Sequence, residues 1–317
     1  MDQIKKKYIV LCEQEPSIPI CNQHWWLESL CPGKWEVVLI EDQGEIIAAM
    51  PCYLIKRYIF TLQVMPVLTQ NLGIWLRYPD NLSHSKKISF ENKIIKDIIK
   101  ELPESDMINF SMHYSQTNWL PFYWAGFSQT TRYTYVIEGL EDLNSVFERF
   151  DPTVKNKIRK AETIVETVET NDVSKFYDVN RKTFQRQGIR TPYSLELLQY
   201  HNKVLKEHNA RKIFLAQDKN GDVHSALYLT WDKMSSYLHM AGDDPDLRSS
   251  GAGIKLIWDA IKFTSETLHL TKMDFEGSMI EGVEQIRRKC GGKQYPYFSL
   301  TKFNNKLLQA YWVFRRN

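Results

Sequence analysis

Cysteine is scarce and unpatterned: the chain has five (Cys12, Cys21, Cys31, Cys52, Cys290), an odd number with no C-x-x-C pair. Neither a disulfide framework nor a zinc knuckle is supported by such a set, so buried, reduced thiols and no metal site are expected. Also missing is any run of about 18 uncharged apolar residues, the least a helical membrane span needs. The charged start (Asp2, Lys5, Lys6, Lys7) leads into no signal-type apolar stretch; the expectation is a cytoplasmic chain without a membrane span. No G-x-x-x-x-G-K-[ST] occurs, which excludes a Walker phosphate loop. Acidic residues vanish from one stretch: Gln285 to Asn317 carries eight Lys or Arg and no Asp or Glu, in a chain of formal net charge only +3. A field of one sign suits phosphorylated or otherwise anionic ligands, and a solvated basic tail explains it equally well.

What is present is enough for two domains, since 317 residues with 43% hydrophobic content fill two cores at the usual 100 to 200 residues each. The halves repeat one order. Trp35 to Ile40, a polar turn ending in Gly44-Glu45, and Ile46 to Tyr53 read as a β-hairpin; Lys212 to Gln217, a turn containing Asn220-Gly221, and Val223 to Trp231 read as another. Each is followed by an apolar segment (Val64 to Leu76, Ser236 to Ala241), then a helical stripe (Ile94, Ile95, Ile98, Ile99, Leu102; Ile254, Ile257, Ile261, Leu268), then a short strand-like string (Asp106 to Met112; Lys272 to Met279). Copies of this length are duplicated domains rather than solenoid units. The spacing predicts an α/β protein of two tandem domains, residues 1–141 and 142–317, each a mixed sheet flanked by helices. Leu143, Val146, Phe147 and Phe150 carry a helical stripe that Asp151-Pro152 interrupts and Val154, Ile158 and Ala161 resume.

The most specific short motif is Arg248-Ser249-Ser250-Gly251-Ala252-Gly253, which precedes the second helical stripe and reads R-x-x-G-x-G. Glycines let a backbone approach a ligand closely, while free amides and the dipole at a helix start favour a pyrophosphate. A glycine-rich turn before an ordinary helix is the plainer explanation. The spacing is wrong for the Rossmann G-x-G-x-x-G.

Placed between a predicted fourth strand and its helix, Arg248 to Gly253 resembles the acyl-CoA pyrophosphate loop, [RQ]-x-x-G-x-[GA], of the GCN5-related N-acetyltransferases. The duplication, with VKNKIRKA (Val154 to Ala161) and DFEGSM…GGKQYPYFSLTK near the C-terminus, resembles the Fem-type peptidoglycan-bridge aminoacyltransferases. The resemblance implies a direct acyl transfer from acyl-CoA to an amine on a small-molecule or cell-envelope acceptor, with Arg248, Ser249, Ser250, Gly251, Ala252 and Gly253 holding the donor. The first copy has Leu68 to Gly73 (LTQNLG) at the corresponding place and is expected to bind no CoA. Fem-type proteins take their acyl group from aminoacyl-tRNA and often degrade this loop; its retention here tilts the donor toward acyl-CoA. The alternatives are a tRNA-dependent Fem-type transferase, gripping its acceptor stem through the basic C-terminal segment, and a degenerate binding module. DNA is not an expected partner. No tyrosine lies between Ile280 and Cys290, so the general acid common in acetyltransferases has no candidate.

On a strand, Asp274, Glu276 and Ser278 share one face. Family logic puts donor thioester and amine beside this strand, which makes Glu276 the candidate base, Asp274 its alternate and Ser278 a substrate contact; structural carboxylates pairing with Arg287 or Arg288 are the rival. His239, on the preceding strand, is either within reach of the same cleft or a satisfied core histidine. Lys155 and Arg159, in the run with Lys157 and Lys160, and Arg186, Arg190 and Tyr193 are candidates to hold an anionic acceptor, against an ordinary solvated face. The aromatics Trp119, Phe122, Tyr123, Trp124 and Phe127 are expected to be core, with exposed stacking as the sharper option.

Overall fold

The structure, a computed structural model, describes residues 3–277 and 279–316. Its helices are α1 (Gln3–Gln14), α2 (His24–Leu30), α3 (His84–Glu101), α4 (Leu120–Trp124), α5 (Leu143–Glu148), α6 (Pro152–Glu162), α7 (Val173–Arg186), α8 (Leu195–Glu207), α9 (Ala252–Glu266), α10 (Glu281–Lys289) and α11 (Lys306–Arg316). Its strands are β1 (Trp35–Asp42), β2 (Glu45–Arg57), β3 (Phe60–Val64), β4 (Trp75–Leu76), β5 (Met107–Ser111), β6 (Ser128–Glu138), β7 (Glu166–Thr170), β8 (Arg211–Gln217), β9 (Val223–Trp231), β10 (Ser236–Asp243), β11 (Lys272–Asp274) and β12 (Lys293–Phe303). The class is α/β, as the alternating pattern predicts. The chain forms two compact units, Met1–Arg132 with Pro296–Asn317, and Tyr133–Tyr295. This differs from a join near residue 141 with the whole C-terminus in the second copy. The reason is a ladder invisible to local pattern: Ser299–Phe303 of β12 pairs antiparallel with Met107–Ser111 of β5, so the last strand completes the first unit.

In the first unit β1 and β2 form the expected hairpin, turned by Gln43 and Gly44, both at positive φ (50° and 85°). β2 continues antiparallel to β3, and β3 pairs parallel to β5 over only Leu62↔Met107 and Gln63↔Ile108. The strand expected across Val64 to Leu76 is not formed as one piece: β3 ends at Val64 and β4 is the two residues Trp75–Leu76. Pro66 cannot continue a ladder as a donor, and Leu68 sits at φ 55°. The isoleucine stripe of α3 (Ile94, Ile95, Ile98) packs with Ala48, Met50 and Phe110. Phe122 and Phe127 join that core, while Tyr123 and Trp124 are exposed, so the expected core place holds for the two phenylalanines and not for Tyr123 and Trp124.

In the second unit the sheet runs β6-β11-β10-β9-β8-β7. Asp151 caps α6 by accepting from Thr153 N, with Pro152 at the first turn, where a missing N–H costs nothing. One face is covered by α6 and α9: Val154, Ile158, Ile254, Ile257 and Ile261 pack with Phe214, Leu227 and Leu229. The alternate residues of β9 point the other way, and Tyr228 meets Phe176 of α7. Seven consecutive buried residues in β9 are the mark of a strand covered on both faces. The five cysteines are buried and form no disulfide; burial pushes the Cys290 thiol up to about 12.

Candidate active site

β10 and β11 run parallel over only Ser236↔Met273 and Tyr237↔Asp274. Beyond Tyr237, β10 continues to Asp243 while β11 has stopped, so backbone amides and carbonyls of β10 face a gap. A cleft of about 1000 Å³ occupies it, walled by β9 and β10, the start of α9, Phe275 and α10. At one end lies the glycine loop. Arg248–Ser250 form one turn of 3-10 helix, Gly251 takes φ 82° and α9 begins at Ala252. A Cβ on Gly251 would fall 2.9 Å from Lys157 O, and one on Gly253 2.6 Å from Asp243 Oδ1 and 3.2 Å from Ser225 Oγ. Both positions therefore require glycine, one for conformation and both for space. Ser250 Oγ accepts from Ala252 N at 3.3 Å and Lys160 Nζ donates to Ser249 O at 2.9 Å; Gly253, in the first turn of the helix, where backbone amides have no intrahelical acceptor, lines the cleft. Lys157, Arg186, Arg248 and Arg287 line the same cleft. Such a cradle fits a diphosphate.

His239 is the extra residue of a β-bulge, because Leu238 pairs with Leu229 and Met240 with Tyr228. A bulge re-aims a side chain. His239 Nδ1 lies 3.0 Å from Glu276 Oε2, with the two side chains 2% and 9% exposed; against a carboxylate, Nδ1 is the donor. His239 lines the cleft, and Glu276 stands behind it. Glu276 Oε1 is buried with no partner among the described residues. His201 of α8 has its ring centroid 6.3 Å from that of His239, and burial holds its pKa well below the ordinary histidine value.

β11 ends at Asp274, and Glu276 and Gly277 both take positive φ (55° and 66°). The strand-face alternation expected from Asp274 through Ser278 therefore stops at Phe275, and the two carboxylates are brought together by a turn instead. Asp274 Oδ1 accepts from Glu276 N at 2.8 Å and from Thr134 Oγ1 at 2.5 Å. Burial, with a smaller push from the Glu276 charge, raises the Asp274 carboxyl to about 7. It is 4% exposed and fastens the turn rather than lining the cleft.

Among the other candidates, Arg248, Ser249, Gly251, Gly253 and Arg186 line the cleft. Ser250 and Ala252 are buried beneath the loop. Lys155 bonds Glu148 at 2.9 Å, Arg159 and Arg190 are exposed outside the cleft lining, and Tyr193 is core, donating to Asn180 Oδ1 at 2.6 Å. The sequence pattern marks neither Arg287 nor the α10 residues Gly282, Val283 and Ile286 as part of the cleft; Val283 and Ile286 stand three apart on one face of a nine-residue helix with no buried residue, a stripe too short to show which surface it meets. Ser278 lies outside the described residues.

Residues 149–295 match the family model of the acetyltransferase (GNAT) domain. The structure is similar to a crystal structure of FemX (TM-score 0.71, 12% identity, covering 97% of this chain and 98% of that one). It also resembles the structure of L-PGS from Bacillus licheniformis (0.56, 9%, 98% and 96%) and a tandem GNAT protein from the clavulanic acid biosynthesis pathway (0.51, 10%, 94% and 93%). At these identities the likeness is one of fold. Among curated proteins none matches the chain in sequence.

Proposed function

We propose, from the premise that residues 149–295 are a GNAT acetyltransferase domain within a Fem-like tandem fold, that the second unit transfers an acyl group from acyl-CoA to an amine. The observation that carries this is the continuous cleft from the glycine loop along the open edge of β10 to His239. The amides of Gly251 to Gly253 and the side chains of Arg248 and Lys157 take the pyrophosphate. The pantetheine arm lies along β10, whose free N–H groups polarise the thioester carbonyl as it becomes an oxyanion. The amine nitrogen attacks that carbon, the C–S bond breaks with its electron pair leaving on sulfur as CoA thiolate, and the amine proton passes to the His239–Glu276 pair directly or through one water. Glu276 holds the Nδ1 proton of His239, which fixes the tautomer and stabilises the imidazolium. The acceptor class is a small molecule or a cell-envelope component. Location in the cytoplasm is part of the same proposal; among the described residues no helix is long and apolar enough to cross a membrane, and none of their His, Cys, Asp and Glu side chains group to hold a metal.

The test is a thermal-shift and calorimetric panel of acyl-CoAs against charged tRNA. Saturable acyl-CoA binding with shallow salt dependence is the expected result. Binding of aminoacyl-tRNA with a steep salt slope, and none of acyl-CoA, would establish the tRNA-dependent alternative instead; loss of both would leave a binding module.

A further inference from the structure

At one edge of the first unit two elements hold apolar side chains in solvent. The β2–β3 hairpin, whose last ladder pair is Arg57↔Phe60, turns through Tyr58 and Ile59, 91% and 88% exposed. α11 starts beside it. Asn305 Oδ1 caps the helix by accepting from Leu307 N and Leu308 N at 3.0 and 3.2 Å. Asp106 ties the two elements together, accepting from Asn305 Nδ2 at 2.9 Å and from Thr61 N of β3 at 2.8 Å. The inner face of α11 is narrow: Leu308 packs with Leu62 and Met107, with Phe60 and Ile55 against the same cluster, and one turn on the Trp312 ring lies 6.1 Å from that of Phe303.

A second stripe on the helix points outward. Leu307, Tyr311 and Phe314 recur at the i, i+4, i+7 spacing of one helical face, and they are 79%, 53% and 81% exposed. Apolar residues exposed singly are ordinary, whereas a three-residue stripe next to an exposed Tyr-Ile tip is a patch of the kind that meets a partner.

Charge decides which partner. Lys56 and Arg57 flank the tip and Lys306 opens the helix, all three exposed. Of the carboxylates at this edge, Asp106 is engaged as described and Glu104 is exposed; the sequence from Gln285 to Asn317 has none. A second copy docking face to face would set one basic rim against another. A nucleic acid would take the cations and leave Ile59, Leu307 and Phe314 in water. An anionic bilayer takes both, apolar and aromatic side chains at the acyl boundary and cations among the headgroups.

We propose that α11 and the β2–β3 tip dock this protein on the surface of an anionic lipid bilayer, lying on it without crossing it.

The experiment is flotation of the full chain with vesicles of phosphatidylcholine alone or mixed with phosphatidylserine, at low and at high salt. The chain should float with the anionic vesicles, about tenfold or more less tightly with the neutral ones, and lose binding as salt rises. Leu307→Ser with Phe314→Ser, and separately Tyr58→Ser with Ile59→Ser, should each weaken flotation about tenfold or more at an unchanged melting temperature, because these side chains are already in water. Lys56→Gln with Arg57→Gln should weaken it about tenfold on anionic vesicles only. No flotation, equal flotation with both vesicles, or variants that float like the parent chain would overturn the assignment. So would a dimer in sedimentation that Leu307→Ser with Phe314→Ser abolishes, which gives the patch to a second copy, or transfer RNA that displaces the chain from vesicles. None of these readouts uses acyl-CoA, so this proposal and the proposed reaction fail separately.

Discussion

Each unit contains the same gap, and the two units treat it in opposite ways. In the second, β10 and β11 part after two residue pairs and the space stays open as the cleft. In the first, β3 and β5 part after two residue pairs as well, but the chain beyond β3 folds back into the gap: Leu72 N donates to Ser111 O at 2.9 Å and Gly73 packs against Met112. Leu68 to Gly73 is where the second unit has its glycine loop. One copy has thus turned its opening into core, and the other has kept a parted pair of strands with unsatisfied edges. A parted sheet loses ladder hydrogen bonds, each worth about 1 kcal/mol net; a cost of that kind persists where it serves binding.

The contrast can be broken most directly at the loop. Gly253→Asp places a side chain against Asp243 and a negative charge in the cradle, and Gly251→Asp adds the strain of a positive φ; each should cut acyl-CoA affinity by about 100-fold or more with the fold retained. Calorimetry on the parent chain should give one CoA per chain, and a stoichiometry of two would show that the first unit's gap is not closed. Next in size is Glu276→Gln, which keeps the backbone strain at that position and removes only the charge. A rate loss of about 100-fold with CoA binding intact is expected, together with a move of the acidic limb of kcat/KM to lower pH, because the His239 imidazolium loses its carboxylate partner. Near-normal turnover with a lower melting temperature would make Glu276 structural, and an unmoved limb would place the proton elsewhere.

Smallest is a pH effect confined to the second unit. The Asp274 carboxyl keeps its proton to about pH 7 in the fold, whereas an unfolded aspartate loses it near pH 4. The folded state therefore binds the extra proton between those values, and stability falls as pH rises through that window. Asp274→Asn should flatten the melting profile there by a few °C without lowering the melting temperature at pH 8. A parent profile already flat between pH 4 and 7 would contradict the raised value.

Much of this was legible in the residues. The hairpins, the isoleucine stripes of α3 and α9 and the break at Asp151-Pro152 follow from periodicity and cap chemistry, which are local. The glycine loop from Arg248 to Gly253 was legible because its glycines answer to a local demand for space. Three things were not. The closing strand Ser299–Phe303 pairs with a segment nearly 200 residues earlier, and a tertiary ladder leaves no trace in a window of ten residues. Glu276 was singled out by strand alternation, yet it reaches Asp274 through a positive-φ turn. His239 stood on a strand whose bulge cannot be read from its neighbours, so its partnership with Glu276 was open until the register was known.

The placement of that closing strand bears on how the protein is made. During synthesis from the N-terminus, residues 133–295 are made as one uninterrupted stretch and can begin to form their sheet before Ser299–Phe303 is available. The first unit, although translated earlier, must wait with one edge of β5 exposed, including Ile108 and Phe110, until Ser299–Phe303 leaves the exit tunnel. An unpaired apolar edge of that kind is a template for pairing with other nascent chains. The unit born first is the one that finishes last, and its vulnerable interval is the time needed to translate the whole of its neighbour.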